Sequence, residues 1–186
     1  MKKTILLFLF LSTPSHAQEH PYITFENGFE KLLKEKGWKQ FKPEERKRLT
    51  RLLWRGSGRN FELASTMACQ GIMESHYVLP SVYENFRGYH GTHNRTLMVE
   101  IRRHGLDGSE KMWLAYCKRD PAYVSYWSAA RLKFLARIYG GVDEAVKVWV
   151  KGRERTNQEE RISTMYLRDV RKLRSKYFGG NHERDN

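Results

Sequence analysis

Long apolar runs, prolines and cysteines are all scarce in this chain. Beyond residues 4–11, no apolar stretch is long enough to cross a bilayer, so we expect no stable membrane insertion of the mature protein. Five prolines and almost no strand-like alternation in 186 residues favour helices over sheets. The two cysteines lie too far apart in the sequence to suggest a metal site.

The one short apolar run lies at the N-terminus. The basic residues of MKK precede TILLFLFL, and STPSHA then places Ser15 and Ala17 where a signal peptidase requires small residues. We therefore predict a signal peptide over residues 1–17 and an exported protein, periplasmic or extracellular, with an uncleaved N-terminal anchor as the alternative. In an oxidising compartment, Cys69 and Cys117 favour one disulfide over two buried free thiols.

Acidic residues are outnumbered, and the formal net charge is +13. Removing Lys2 and Lys3 with the signal peptide leaves +11. Such a surface favours polyanions as partners. Because export separates the protein from intracellular nucleic acid, we expect an anionic cell-envelope polymer and no nucleic acid. Nucleic-acid binding remains an alternative that rests on charge alone.

The longer segments of the mature chain carry helical periodicity. We predict helices over residues 42–54, 61–77, 120–141, 142–152 and about 158–177. Residues 81–109 hold several glycines and histidines and are typical of an irregular segment that could line a site. The last helix is predicted to place one apolar stripe inward: Ile162, Met165, Tyr166, Val170, Leu173 and Tyr177. The predicted fold class is all-α, with a single domain after signal-peptide removal.

Glu74 is the most informative residue of the second helix. Met67, Gln70, Gly71 and Glu74 share one side of that helix, so the carboxylate falls on or beside the buried face in the last turn. Partial burial and the negative end of the helix dipole both raise the pKa of a carboxyl group, as a general acid requires. The alternative is a boundary glutamate that turns towards water.

The stretch ACQGIMESHY resembles the catalytic helix of lytic transglycosylases with a lysozyme-like (Slt-type) domain, in which the helix ends in Glu-Ser. Further segments follow in the family's order. NRTLMVEIRRHGL (94–106) resembles its Gly-Leu-Met-Gln segment, and RDPAYVSYWSAARLKFLARIYGG resembles the helix that comes next. EAVKVWVKG stands where the family has Tyr-Asn-x-Gly, and ISTMYLRDV is similar to the closing Thr-x-x-Tyr-Val element.

The resemblance covers about residues 60–177 and implies a lysozyme-like domain over 60–178. Residues 18–59 then form an N-terminal helical extension, and 179–186 a disordered tail. The family's pattern implies Glu74 as the sole acid/base, and Ser75, Met98 and Tyr166 as substrate-binding residues. Three positions depart from the pattern: Thr96 and Val99 replace the Gly and Gln of Gly-Leu-Met-Gln, and Val150 replaces the Asn of Tyr-Asn-x-Gly.

The resemblance implies cleavage of the MurNAc–GlcNAc β-1,4 bond of peptidoglycan glycan strands, with formation of a 1,6-anhydro-MurNAc end and no cofactor. Val99 and Val150 support an alternative, a non-catalytic lysozyme-like protein that binds peptidoglycan or a secretion-system or phage assembly partner. His90 and His93 form a His-x-x-His pair, but no third ligand is evident, so we predict no metal site.

Overall fold

A computed structural model describes residues 20–36, 41–77, 81–83 and 86–179. The predicted signal peptide and nearly all of the predicted tail lie outside these residues. The described part forms eight helices and three short strands: α1 (Pro21–Lys36), α2 (Pro43–Gly56), α3 (Phe61–Ser75), β1 (Ser81–Tyr83), β2 (Phe86–Gly88), β3 (Thr92–His93), α4 (Asn94–Arg103), α5 (Glu110–Arg119), α6 (Pro121–Tyr139), α7 (Val142–Lys151) and α8 (Asn157–Phe178).

Local sequence signals set the ends of the long helices. α6 begins at Asp120, whose Oδ1 accepts a hydrogen bond from the Tyr123 amide at 3.1 Å, and Pro121 fills the first turn. Gly140 ends α6 in the left-handed conformation at φ 82°. α8 begins with a capping box, in which the Thr156 hydroxyl and the Glu159 carboxylate each accept a hydrogen bond from the other residue's amide.

The helices pack around a main core with a smaller second cluster beside it. The main core draws apolar side chains from α1, α2, α3, α6, α7 and α8, so the two N-terminal helices share it with the rest of the chain. The second cluster joins α4 and α5 to the N-terminal half of α6, with Leu97 and Trp127 among its buried residues. α6 therefore borders both clusters. In the described part of the chain, no helix is long and apolar enough to span a membrane.

The three strands form one small antiparallel sheet in the order β1-β2-β3. Ser81 pairs with Gly88, and Phe86 pairs with His93. Gly88 has φ 75°, and a Cβ built on it would lie 2.6 Å from the side chain of Val124 on α6. A glycine at this position allows the sheet to approach α6 closely.

The all-α prediction holds at the level of a mostly helical chain. The prediction of an irregular segment over 81–109 is wrong, because that segment contains the sheet and α4, and α5 was not predicted at all. The stripe predicted for α8 is wrong in part, since Ile162 and Met165 are exposed, whereas Ser163 and Leu167 are buried.

Candidate active site

The C-terminus of α3 places Glu74 at the surface beside a sharp reversal of the chain. The helix ends at Ser75, and His76 and Tyr77 follow with φ 52° and 54°. Two successive non-glycine residues in the left-handed region are unusual and are held by the surrounding structure. The Tyr77 ring folds back onto α3, where a Cβ on Gly71 would lie 2.2 Å from the ring. Gly71 is therefore what makes room for the reversal.

Hydrogen bonds of the Ser75 hydroxyl stabilise this end of the helix. Its hydroxyl donates a hydrogen bond to the Tyr89 carbonyl oxygen at 2.8 Å and accepts one from the Tyr77 amide at 3.2 Å. The Tyr77 hydroxyl in turn donates to the Ala68 carbonyl oxygen at 3.2 Å inside the core. A substrate-binding role for Ser75 stays a prediction, and these bonds show Ser75 holding the backbone around Glu74.

Tyr166 of α8 reaches Glu74 across 92 positions of sequence. Its hydroxyl donates a hydrogen bond to Glu74 Oε1 at 2.8 Å. Burial raises the pKa of Glu74 above the ordinary glutamate value, and the hydrogen bond from Tyr166 offsets part of that rise. The carboxyl group is both solvent-accessible and partly surrounded by protein.

Gln70 lies one helical turn before Glu74 and is fully buried. Neither its Oε1 nor its Nε2 has a well-formed hydrogen bond within the described residues. Its amide nevertheless interacts with the Tyr166 hydroxyl, which lowers the pKa of that phenol against larger opposing effects from burial and Glu74. Gln70, Tyr166 and Glu74 thus form one polar group between α3 and α8. The helical spacing of Gln70 and Glu74 was visible in the sequence, but the contribution of Gln70 was not predicted.

Apolar side chains accompany this polar group at the surface. Met73 precedes Glu74 and is 36% exposed, and Met165 precedes Tyr166 and is 56% exposed. Ile162, four residues before Tyr166 on α8, is 40% exposed. Exposed apolar side chains next to a polar pair suit the face of a sugar ring, which is itself apolar with polar edges.

Met98 and Val99 are neighbours on α4 but differ in exposure. Met98 is buried in the second cluster with Leu97 and Ile101, so its side chain is not available to a substrate in this structure. Val99 is 44% exposed. The substrate-binding role predicted for Met98 therefore finds no support in its placement, because the apolar face of α4 turns it towards α5 and α6.

A separate pocket is lined by residues of other segments that resemble the family. Its volume is about 190 Å³, and Thr96 of α4, Arg131 of α6 and Trp149 of α7 line it together with Thr92 and His93. Thr96 and Trp149 belong to two segments that the resemblance singled out, and the fold brings them together. Glu74 does not line this pocket.

The two histidines of the His-x-x-His pair have separate structural roles. His90 is buried, with Nε2 3.1 Å from the Met67 carbonyl oxygen and Nδ1 3.3 Å from the Ser125 hydroxyl. Burial lowers the pKa of His90 to about 4, so the imidazole is neutral at neutral pH. His93 caps α4, with its Nδ1 accepting a hydrogen bond from the Arg95 amide at 3.1 Å.

The predicted disulfide between Cys69 and Cys117 is wrong for this structure, in which both cysteines are free thiols. Cys69 lies in the main core and Cys117 in the second cluster, so different sets of apolar side chains surround them. Burial raises the pKa of both thiols, that of Cys117 to about 11. The alternative of two buried thiols, which the sequence left open, describes the structure.

Comparison of the chain with protein-family models, with curated proteins and with solved structures gave no match in any of the three. The chemistry of the site therefore rests on its own geometry. That geometry supplies one solvent-accessible carboxyl group of raised pKa and a phenol that donates to it, and exposed apolar residues lie next to both in the sequences of α3 and α8. Such a group can give a proton and take one back.

Proposed function

We propose that this protein is a lytic transglycosylase with a lysozyme-like domain, which cleaves the β-1,4 bond between MurNAc and GlcNAc in peptidoglycan. The observation that carries the proposal is the hydrogen bond from Tyr166 to Glu74, a carboxyl group whose pKa burial has raised. The resemblance of ACQGIMESHY and ISTMYLRDV to the family's segments picks out the same two residues, and the fold brings them into contact.

The proposed reaction uses one carboxyl group twice. Glu74 in its acid form gives its proton to the glycosidic oxygen as the bond to the anomeric carbon breaks. The Glu74 carboxylate then takes the proton from the MurNAc 6-hydroxyl, whose oxygen bonds to the anomeric carbon. The products are a GlcNAc hydroxyl and a 1,6-anhydro-MurNAc end, Glu74 is again protonated, and the reaction requires no water, metal or cofactor.

The surroundings of Glu74 suit this double use. A pKa above the ordinary value keeps more of the acid form available at the start of the reaction. The Tyr166 hydroxyl stabilises the carboxylate that forms midway, because a hydrogen bond to a charged acceptor is stronger than one to a neutral acceptor. Hydrolytic glycosidases usually place a second carboxylate across the bond. The perturbation of Glu74 has two causes, burial and Tyr166, and neither is a neighbouring carboxylate.

The basic character of the chain supports an anionic polymer as substrate. Peptidoglycan carries carboxylates on its peptide stems, and a mature protein of net charge +11 attracts them at low ionic strength. We expect binding to weaken as salt rises. The same charge would serve the non-catalytic alternative, so the products must decide between them.

The test is incubation of the purified mature protein with peptidoglycan sacculi, followed by mass spectrometry of the soluble products. We expect muropeptides with 1,6-anhydro ends, which lie 18 Da (about one water) below the hydrolysed forms because no water is added. Reducing ends in their place would contradict the proposal and indicate hydrolysis. Protein that binds sacculi and releases nothing would favour the non-catalytic alternative.

A further inference from the structure

A basic groove lies where the C-terminal ends of α2 and α4 meet the middle of α6. Arg55 comes from α2, Glu100 and Arg103 from α4, and Lys133 and Arg137 from α6. The groove has a volume of about 240 Å³ and shares no lining residue with the Glu74–Tyr166 pair. Gly56 lets α2 rest directly on α6, since a Cβ there would lie 2.3 Å from the Tyr126 carbonyl oxygen. The floor of the groove is therefore closely packed.

Positive charge exceeds negative charge among the side chains that line the groove. Four cationic side chains face one carboxylate, that of Glu100, whose side chain is only 2% exposed. Glu100 pairs with Arg103 of its own helix. Arg55, Lys133 and Arg137 form no ion pair with any carboxylate of the described residues. Three cations are thus left without a counter-charge in one concave region.

Phe134 lines the groove, and its ring lies beside two of the groove's guanidinium groups. The Cζ atoms of Arg103 and Arg137 lie 3.5 and 5.8 Å from the ring centroid, and that of Arg131, which lines the separate pocket, lies 5.3 Å from it. A cation over a ring face is attracted by the negative charge of that face. Three like charges around one ring also repel one another, and that repulsion is relieved when an anion lies between them.

We propose that this groove binds a phosphate-type oxyanion carried by a larger ligand. Arginine forks match the oxygen geometry of phosphate, and Lys133 adds a mobile point charge at the edge. A single carboxylate would not balance the groove, because Arg103 already pairs with the carboxylate of Glu100 and three further cations remain. A polyvalent oxyanion, such as a phosphomonoester or pyrophosphate, matches that surplus.

The test measures binding of inorganic pyrophosphate to the folded protein by isothermal titration calorimetry at low and at physiological salt. The groove variant is Lys133→Gln with Arg137→Gln, both of which are exposed positions. The matched control is Arg168→Gln with Lys172→Gln, which removes the same charge from an exposed groove on α8. Far-UV circular dichroism checks that both variants keep the helical content of the wild type.

We expect the groove variant to bind pyrophosphate at least tenfold more weakly than the wild type, and the control to change affinity less than twofold. Equal losses in the two variants would overturn the proposal, because they would show attraction by net charge alone. Wild-type protein that binds no pyrophosphate at millimolar concentration would overturn it too.

Co-sedimentation with vesicles distinguishes two sources of the phosphate group. Phosphatidylcholine vesicles with and without phosphatidic acid, whose headgroup is a phosphomonoester, are compared for the wild type and both double variants. If the groove variant alone loses binding to the phosphatidic acid vesicles, the source is a lipid headgroup. If it loses pyrophosphate binding and both variants treat the vesicles alike, the source is a soluble phosphate compound. The Glu74 site takes no part in this binding, so failure of the proposed glycan cleavage leaves the result unaffected.

Discussion

Glu74 belongs to helix α3 and His90 packs against that helix. Burial favours the uncharged form of each, yet their surroundings differ. His90 is sealed in the core, and its ring nitrogens lie beside the Met67 carbonyl oxygen and the Ser125 hydroxyl. Glu74 lies at the end of the same helix, open to solvent, with one phenol donating to it. A shifted pKa alone therefore does not mark a catalytic group. The two residues differ in exposure, because solvent reaches Glu74 and does not reach His90.

Substitutions of the two residues should therefore have different effects. If Glu74 transfers the proton as proposed, removing its carboxyl group should change the reaction rate and spare the fold, because few core contacts depend on that group. Altering His90 should change stability, because its imidazole belongs to the packing of α3 against α6. The predictions below test that division.

The largest expected effect is on the rate of glycan cleavage in Glu74→Gln. The amide keeps the size of the side chain and still accepts the hydrogen bond from Tyr166, but it cannot give and retake a proton. General acid–base assistance is worth on the order of 10²–10⁴ in rate, so release of anhydro-muropeptides should fall by at least that factor. Chromatography of the products released from sacculi measures it.

The matched control is Glu154→Gln, which makes the same charge change at an exposed residue. Its rate should equal that of the wild type. The melting temperature of Glu74→Gln at neutral pH should be no lower than that of the wild type, because the raised pKa of Glu74 means that its ionised form disfavours the folded state. Activity that survives in Glu74→Gln would place the acid elsewhere.

The next largest effect is the loss of stability in acid that arises from the lowered pKa of His90. The pKa of His90 is about 4 in the folded state and near 6.5 when unfolded, so the unfolded chain takes up a proton first as pH falls. The contribution of neutral His90 to the free energy of unfolding is therefore fully present above about pH 6.5. It decreases by about 3 kcal/mol as the pH falls towards 4. Urea unfolding at pH 7 and pH 4 should show this loss in the wild type and not in His90→Gln.

His93→Gln is the control for that experiment, because His93 is an exposed helix cap. It should lose as much stability as the wild type between the two pH values. An equal loss in His90→Gln would show that carboxylates elsewhere dominate the acid response and that the environment of His90 contributes little.

The long helices could be predicted from the sequence because their signals are local. Asp120-Pro121 and Gly140 mark the two ends of α6, and the observed helix follows them closely. α4 and α5 span ten residues each and leave few turns over which a periodic pattern can be recognised. The stripe predicted for α8 failed at Ile162 and Met165, since periodicity alone does not show where the buried face ends.

The candidate site could be predicted only in part. The position of Glu74 near the end of a helix follows from spacing, and the choice of Tyr166 as a site residue followed from the resemblance alone. Their contact across 92 positions of sequence depends on the fold. The reversal at His76 and Tyr77 depends on Gly71 and on tertiary packing, which no local pattern encodes. The basic groove arises only when α2, α4 and α6 come together, so its residues have no common motif.

A smaller effect is expected for Tyr166→Phe. A hydrogen bond to a charged group contributes about 1.5–3 kcal/mol, so the rate should fall roughly 10- to 100-fold. Tyr166 lowers the pKa of Glu74, and losing the hydroxyl should raise that pKa further. The alkaline limb of the pH–rate profile should therefore move to higher pH. A reduced rate with an unmoved limb would mean that Tyr166 supports the fold and does not act on the carboxyl group.

The smallest effect is expected when reductant is added, because both cysteines are already thiols in this structure. Cys69 lies on α3 like Glu74, but it is buried in the main core, away from the cluster that holds Cys117. Protein isolated from its native compartment, unfolded without reductant and treated with iodoacetamide, should gain one carbamidomethyl group on each cysteine. Reductant should leave the melting temperature of the native protein unchanged. A disulfide closing a loop of this length would contribute roughly 3–5 kcal/mol, so its presence would be obvious. Unmodified cysteines and a lower melting temperature in reductant would show that the native protein forms the bond after all.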